Sequence, residues 1–316
     1  MNQLTDQNVE DVLRLELAEG DAMIGTLGPI LRHLLASDGL SLFSDETVAR
    51  VRGMGASIAL QLLHAQADAA SIENPEDYVA ERVEELCDAL LGQSALVGHL
   101  HALAMEWQLA DRLHIRSGLD PVLSPLLQAL IGSPDEDTAS SAMAALAAQA
   151  RFVQRLRRME FNLNELPGEL FHSALLTMYA LADAPSEDAV RKADASFRSE
   201  FDESRSRLGL LSRLVTGMGG GAIAALSVSH AGVAIFLTAL AVGSGQKRDL
   251  AVLSTHERQL ARLALGLRSA GLKSSAVDEQ LLYLHPDITL PEGFDQLRSD
   301  RAAALLAGST PHASDA

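Results

Sequence analysis

Residues 214–246 carry no charged side chain, and the inner stretch GMGGGAIAALSVSHAGVAIFLTALAVGSG (217–245) is the most apolar and glycine-rich part of the chain. A segment of this kind has two stable destinations, a bilayer or the middle of a helical bundle. Residues 222–242 span 21 positions, which at a helical rise is about the ~30 Å of a hydrocarbon core. Gly217, Gly221, Ala225 and Ser229 recur every fourth residue. On one helix that stripe lets a neighbouring backbone approach closely. Other features oppose a membrane. His230 sits at the midpoint with Ser227 and Ser229 beside it, alanine outnumbers the larger aliphatics, and neither end carries Trp or Tyr. Composition favours a core helix, with packing positions Gly217, Gly221, Ala225, Ser229 and His230. A spanning or inserting helix stays as the alternative.

The rest of the chain is helical in pattern. Apolar residues make up 47%, dominated by alanine and leucine, and aromatics only 4%. Strong helix formers without alternating β-branched runs predict an all-α fold. A first helix is expected over residues 3–19, ended by Gly20, and a second over 22–36 around Pro29. Ser44-Asp45-Glu46 reads as a helix start, as does Asn74-Pro75-Glu76-Asp77. Further helices are expected over 94–113, from Leu119-Asp120-Pro121 to 131, and over 137–159. Others follow over 167–182, 185–215, 249–270, 275–284 and 294–306.

Three pairs of segments resemble each other in the same order. Residues 27–37 pair with 123–133, 45–49 with 136–140, and 85–91 with 169–176. The pattern predicts an internal duplication. The units are 1–113 (copy 1 with an N-terminal helix) and 114–203 (copy 2). A module over 204–285 is built on the apolar helix, and 286–316 form a last helix and tail. Helix starts near 45, 93, 138 and 187 have the spacing of two-helix solenoid units. The expected architecture is a multi-helix bundle or a short helical-repeat array.

Net charge is −17, which excludes a general nucleic-acid binder. The charge is divided. Residues 204–273 hold nine Lys/Arg against Asp249 and Glu257, a net of +7, while 1–203 carry −19. The acidic start has no signal-peptide character, and Cys87 has no second cysteine to pair with. Both point to the cytoplasm, or to the inner face of a membrane in the anchored alternative.

Candidate chemistry is sparse. Glu169-Leu-Phe-His172 has the E-x-x-H spacing of carboxylate di-metal bundles, but those need a second copy and two more glutamates. The matching segment reads Glu85-Leu-Cys-Asp88. Glu169 and His172 are weak metal candidates and more simply structural. His99 and His101 point about 200° apart on a helix, so one is expected at the core edge and one at the surface. The Gly217–Gly221 cluster lacks the lysine and the strand of a phosphate loop. No nucleophile elbow is present. Arg151, Arg155, Arg157 and Arg158 gather at a helix end. With Lys247, Arg248, Arg258 and Arg262 they are the candidate interaction cations. No cofactor is implied. The expected function is a non-enzymatic helical scaffold or regulatory protein with a protein partner, self-association included. A membrane-anchored helical protein and a small-ligand binder or enzyme with an apolar pocket are the alternatives.

Overall fold

The computed structural model describes residues 2–36, 45–182 and 186–309. Among these residues the secondary structure is helical throughout, with fourteen α-helices, short 3-10 turns and no strand. The all-α expectation holds. The chain forms two compact units, each assembled from separated segments. Unit 1 comprises residues 1–27, 105–149 and 211–316, and unit 2 comprises 28–104 and 150–210.

The N-terminal segment is one helix, α1 (Asn2–Ala36), which runs through both Gly20 and Pro29. Val9, Leu13 and Leu17 form a buried four-residue ladder on it, and Leu31 is buried further along. Gly20 does not end the helix. A Cβ there would lie 2.6 Å from the Gln259 Oε1, and its carbonyl accepts from the Gln259 Nε2 at 2.6 Å. Close approach, rather than termination, explains this glycine.

Unit 1 is built on α10 (Val228–Ser244) and α12 (Leu260–Ser269). Every residue from 231 to 241 and from 261 to 267 is buried. α10 packs on α12, on α5 (Pro125–Ile131), on α11 (Arg248–Leu253) and on α13 (Ser274–Leu284). α12 also packs on α14 (Ser299–Ala307). The first donor of α10, the Val228 N–H, is satisfied by the Gln280 Oε1 at 2.9 Å.

The apolar stretch is therefore not a single helix. It is a 3-10 turn (Gly219–Leu226), a break at Ser227, and α10, itself kinked where Gly232 takes φ 72°, ψ 162°. Eight residues are long for a 3-10 segment. Gly217, Gly221, Ala225 and Ser229 fall on three elements, so they share no helix face. Ala225 is buried and Ser229 exposed, and His230 is half-buried. A Cβ at Gly217 or Gly221 would meet nothing within 4 Å. The close helix contact lies further along. A Cβ at Gly243 would fall 2.7 Å from the Ala270 Cβ, and one at Gly266 would fall 3.1 Å from the Leu240 Cδ1. Among the described residues no single helix is long and apolar enough to cross a membrane. Only α9 (Arg207–Gly217) and the 3-10 turn pass that test together, bent by 116°.

Unit 2 contains α2 (Asp45–Ala70), α3 (Pro75–Leu91), α7 (Gly168–Ala180) and α8 (Glu187–Glu200). α2 packs on α3 and α8, and α7 on α3 and α8. The expected start at Asp45-Glu46 is observed, while Ser44 lies outside the described residues. α4 (Ser94–Ser117) and α6 (Glu136–Arg157) each contribute residues to both units.

Several boundaries differ from the sequence pattern for local reasons. The Asp120 Oδ1 accepts from the Val122 and Leu123 N–H groups, which closes a turn and delays α5 to the Ser124 cap. The expected helix over 185–215 ends at Glu200, and a 3-10 turn over Glu203–Arg205 precedes α9. The expected helix over 249–270 is broken into α11, a 3-10 turn and α12. There the buried Ser254 and Thr255 hydroxyls donate back to the Ala251 and Val252 carbonyls, each at 2.7 Å.

The paired segments of the expected duplication take different structures. Residues 27–36 continue α1, whereas 125–131 are a separate short helix. Residues 85–91 close α3, whereas 169–176 open α7. Only 45–49 and 136–140 match, as starts of α2 and α6 with two acids in the first turn of each. No structural repeat is shown. Similar Leu/Ala-rich wording serves any buried helix face.

Candidate functional site

Two of the basic residues singled out in the sequence are used inside unit 1. Arg248 makes a two-pronged pair with Glu106, with both N–O distances 2.9 Å, and its Nε donates to the Thr238 Oγ1 at 3.1 Å. The Glu106 side chain is 2% exposed and that of Arg248 13%. Arg262, 2% exposed, pairs with Asp21 and donates to the Gln246 Oε1 at 2.8 Å and the Ser309 Oγ at 3.1 Å. Ser309 in turn donates to Asp21. Positively charged guanidinium groups withdrawn this far from water hold the unit together and present no surface. Lys247 and Arg258 are exposed.

The arginine cluster lies in unit 2. Arg151, Arg157 and Arg158 are exposed and Arg155 half-buried. Arg158 meets Glu160 at 3.5 Å, a solvated pair. Glu169 and His172 are both exposed on α7, and His172 Nδ1 lies 3.1 Å from an Arg198 NH group. An exposed imidazole held by a guanidinium is poorly placed as a metal ligand. Among the described residues no group of three or more His, Cys, Asp or Glu is arranged to hold a metal. His99 and His101 are both buried, at 2% and 3% exposure. The expectation of one surface histidine fails because α4 is buried around its whole circumference there, from Leu96 to Leu103 with only Gly98 half-buried.

Titration is perturbed at three places worth naming. Burial pushes the Cys87 thiol up to about 11, helped by the neighbouring Asp88. Such a thiol is protonated and inert at neutral pH. Burial pulls His285 below the ordinary histidine value, against the hydrogen bond of its Nε2 to the Thr255 carbonyl at 2.9 Å. Glu10 is held low by its hydrogen bonds from Arg301.

The concave feature the sequence did not disclose lies in unit 2. A cleft of about 380 Å³ opens where α2, α3 and the end of α7 meet. Its apolar lining is Leu63, Leu86, Met178, Leu181 and Ala182, the first three of them buried, and its polar lining includes Gln66, Tyr78, Glu81, Arg82 and Glu85. Tyr78, Glu81, Arg82 and Glu85 stand at i, i+3, i+4 and i+7 of α3 and so share one face. Tyr78 donates to the Gln66 Oε1 at 3.0 Å. Arg82 lies 4.1 Å over the Tyr78 ring and 3.2 Å from Glu81. Leu181 is 41% exposed and Leu176, earlier on α7, is 52% exposed. The α3 spacing was readable in the sequence; that α7 lies against it was not.

No family model, no curated protein and no solved structure matches this chain.

Proposed function

We propose that this is a non-enzymatic, cytosolic helical protein that acts by binding another protein, and that unit 2 carries the binding surface. The observation behind this reading is the α2–α3–α7 cleft. It sets the exposed Leu181 beside a polar and charged rim of Gln66, Tyr78, Glu81, Arg82 and Glu85, a pairing that can anchor a partner's side chain while the rim excludes water. At about 380 Å³ it is at the small end of ligand pockets, a size suited to anchoring part of a larger molecule. The large buried arginines of unit 1 are already matched to carboxylates. That makes them structural elements in this reading.

The test is affinity capture from the native cell extract with wild type and with Leu181→Asp. Leu181 is 41% exposed and lines the cleft, so the variant should fold, with its melting temperature compared with wild type as the control. A partner recovered by wild type and lost with Leu181→Asp is the expected result. Binding-centre truncations cost about 2 kcal/mol or more, roughly thirtyfold in affinity. A wild type that recovers nothing, or a variant that recovers the same proteins, overturns the reading.

A further inference from the structure

We infer that the outer face of α6 is a self-association surface, occupied by the same face of α6 from a second copy of this chain lying antiparallel to it. The inference is independent of the cleft. Asp137, Ser140, Ala144, Ala147, Arg151 and Arg155 follow one another at steps of three or four, so they lie along one side of the helix. Arg155 is half-buried and the other five are exposed. Met143 borders the stripe at 51% exposure.

The two ends of this face have opposite charge and its middle has none. Glu136 and Asp137 stand in the first turn, and Arg151 and Arg155 lie toward the other end. Among the described residues these four side chains make no ion pair or hydrogen bond. The helix dipole accounts for acids at the start and cations at the end of a single helix. It does not account for the exposed, uncharged run of Ser140, Ala144 and Ala147 between them in a chain that is 21% charged.

A second copy accounts for both. A two-fold axis midway between Ala144 and Ala147 sets Ala144 of one copy against Ala147 of the other, and Ser140 against Arg151. Glu136 and Asp137 then stand level with Arg155 and within a turn of Arg151, and the axis makes that match twice. Alanine at the crossing lets the two backbones approach to about 8 Å, the short end of helix packing distances. The charged ends are about 27 Å apart along the helix, well beyond the screening length, so each match acts on its own. A parallel copy would set arginine on arginine. A partner of one charge sign would be repelled at one end of the face.

The full chain is followed by sedimentation velocity over a concentration series. Wild type is expected to dimerise, more weakly at about 0.5 M salt. Glu136→Lys with Asp137→Lys, and separately Arg151→Glu with Arg155→Glu, should each weaken the dimer about tenfold or more. The two variants mixed should associate again, because each supplies the sign the other lacks. Reversal of two exposed acids on α13, Asp278→Lys with Glu279→Lys, should leave the dimer within about twofold. Circular dichroism checks that each variant is folded. Arg151→Gln alone, at an exposed position, should weaken the dimer about threefold and serves where a reversal does not fold. A wild type that stays monomeric, a dimer that survives both reversals, or reversed variants that do not recombine overturns the inference. A dimer lost with Leu181→Asp and kept in both reversals also overturns it, and places self-association at the cleft.

Discussion

The two units treat their buried arginines differently. In unit 1 the buried cations end on carboxylates that are themselves withdrawn from water, Arg248 on Glu106 and Arg262 on Asp21. In unit 2 the buried Arg50 pairs with Glu46, a carboxylate 57% exposed, and the half-buried Gln61 and Ser57 reach for backbone. Arg50 donates to the Leu156 carbonyl. Gln61 donates to the Phe161 carbonyl at 2.7 Å and accepts from the Leu163 N–H at 3.1 Å, and Ser57 donates to the Phe161 carbonyl at 2.9 Å. Arg207, 2% exposed, lies 3.6 Å over the Phe152 ring. Unit 1 is thus vulnerable to losing one member of a charged pair. Unit 2 spreads its polar burial over many hydrogen bonds of modest worth.

The largest effect is expected at the Arg248–Glu106 pair. Arg248→Met leaves a carboxylate buried without its cation and should destabilise by about 3–5 kcal/mol in chemical denaturation. Arg248→Met with Glu106→Leu should recover most of that loss, since the penalty belongs to the orphaned charge. Gly232→Ala comes next. It forces a side chain onto φ +72° and puts a Cβ 2.8 Å from the Ser124 Cβ, so unfolding should shift by about 1–3 kcal/mol. In unit 2, Gln61→Ala removes bonds to the Phe161 and Leu163 backbone and should cost about 1–2 kcal/mol. If Gln61→Ala matched Arg248→Met, the contrast between the units would collapse.

The smallest effect is a pH dependence at His285. Its folded pKa is depressed by burial, so the unfolded chain takes up a proton first as pH falls. Its contribution to stability is complete above the ordinary histidine value, about 6.5. It declines as pH falls through that value and levels off below the folded one. Unfolding free energies measured at about pH 7.5 and 5.5 should differ less in His285→Gln than in wild type. An unchanged difference would remove His285 from the account.

Much of the helix inventory was legible from the sequence because capping and periodicity are local. Pro75, Glu136-Asp137 and Gly168 mark starts that the structure keeps. What was illegible is tertiary. Gly20 carries a helix-breaking signal, yet it is retained in mid-helix because Gln259, 239 positions later, sits against it. The stripe of Gly217, Gly221, Ala225 and Ser229 was a sound periodicity argument on a helix that does not exist, because Ser227 and Gly232 break the segment. The basic island was visible as charge. That Arg248 and Arg262 spend theirs on Glu106 and Asp21 depends on contacts across 142 and 241 positions. The cleft is legible only in part. The face of Tyr78, Glu81, Arg82 and Glu85 is readable along α3, but its floor depends on α7, which lies some ninety residues on.

The way the segments are dealt between the units has a consequence during synthesis. Unit 2 needs nothing beyond residue 210, so once that residue has left the ribosome its whole complement of chain is available. Unit 1 waits for α10, α12 and α14, and Arg262 cannot close on Asp21 and Ser309 until residue 309 has emerged. Through that interval Gly20, Asp21 and Glu10 of α1 lack the Gln259, Arg262 and Arg301 that close on them. The late part of the chain therefore completes contacts that its first helix leaves open, and a nascent chain stalled before residue 259 would hold Gly20, Asp21 and Glu10 without Gln259, Arg262 and Arg301.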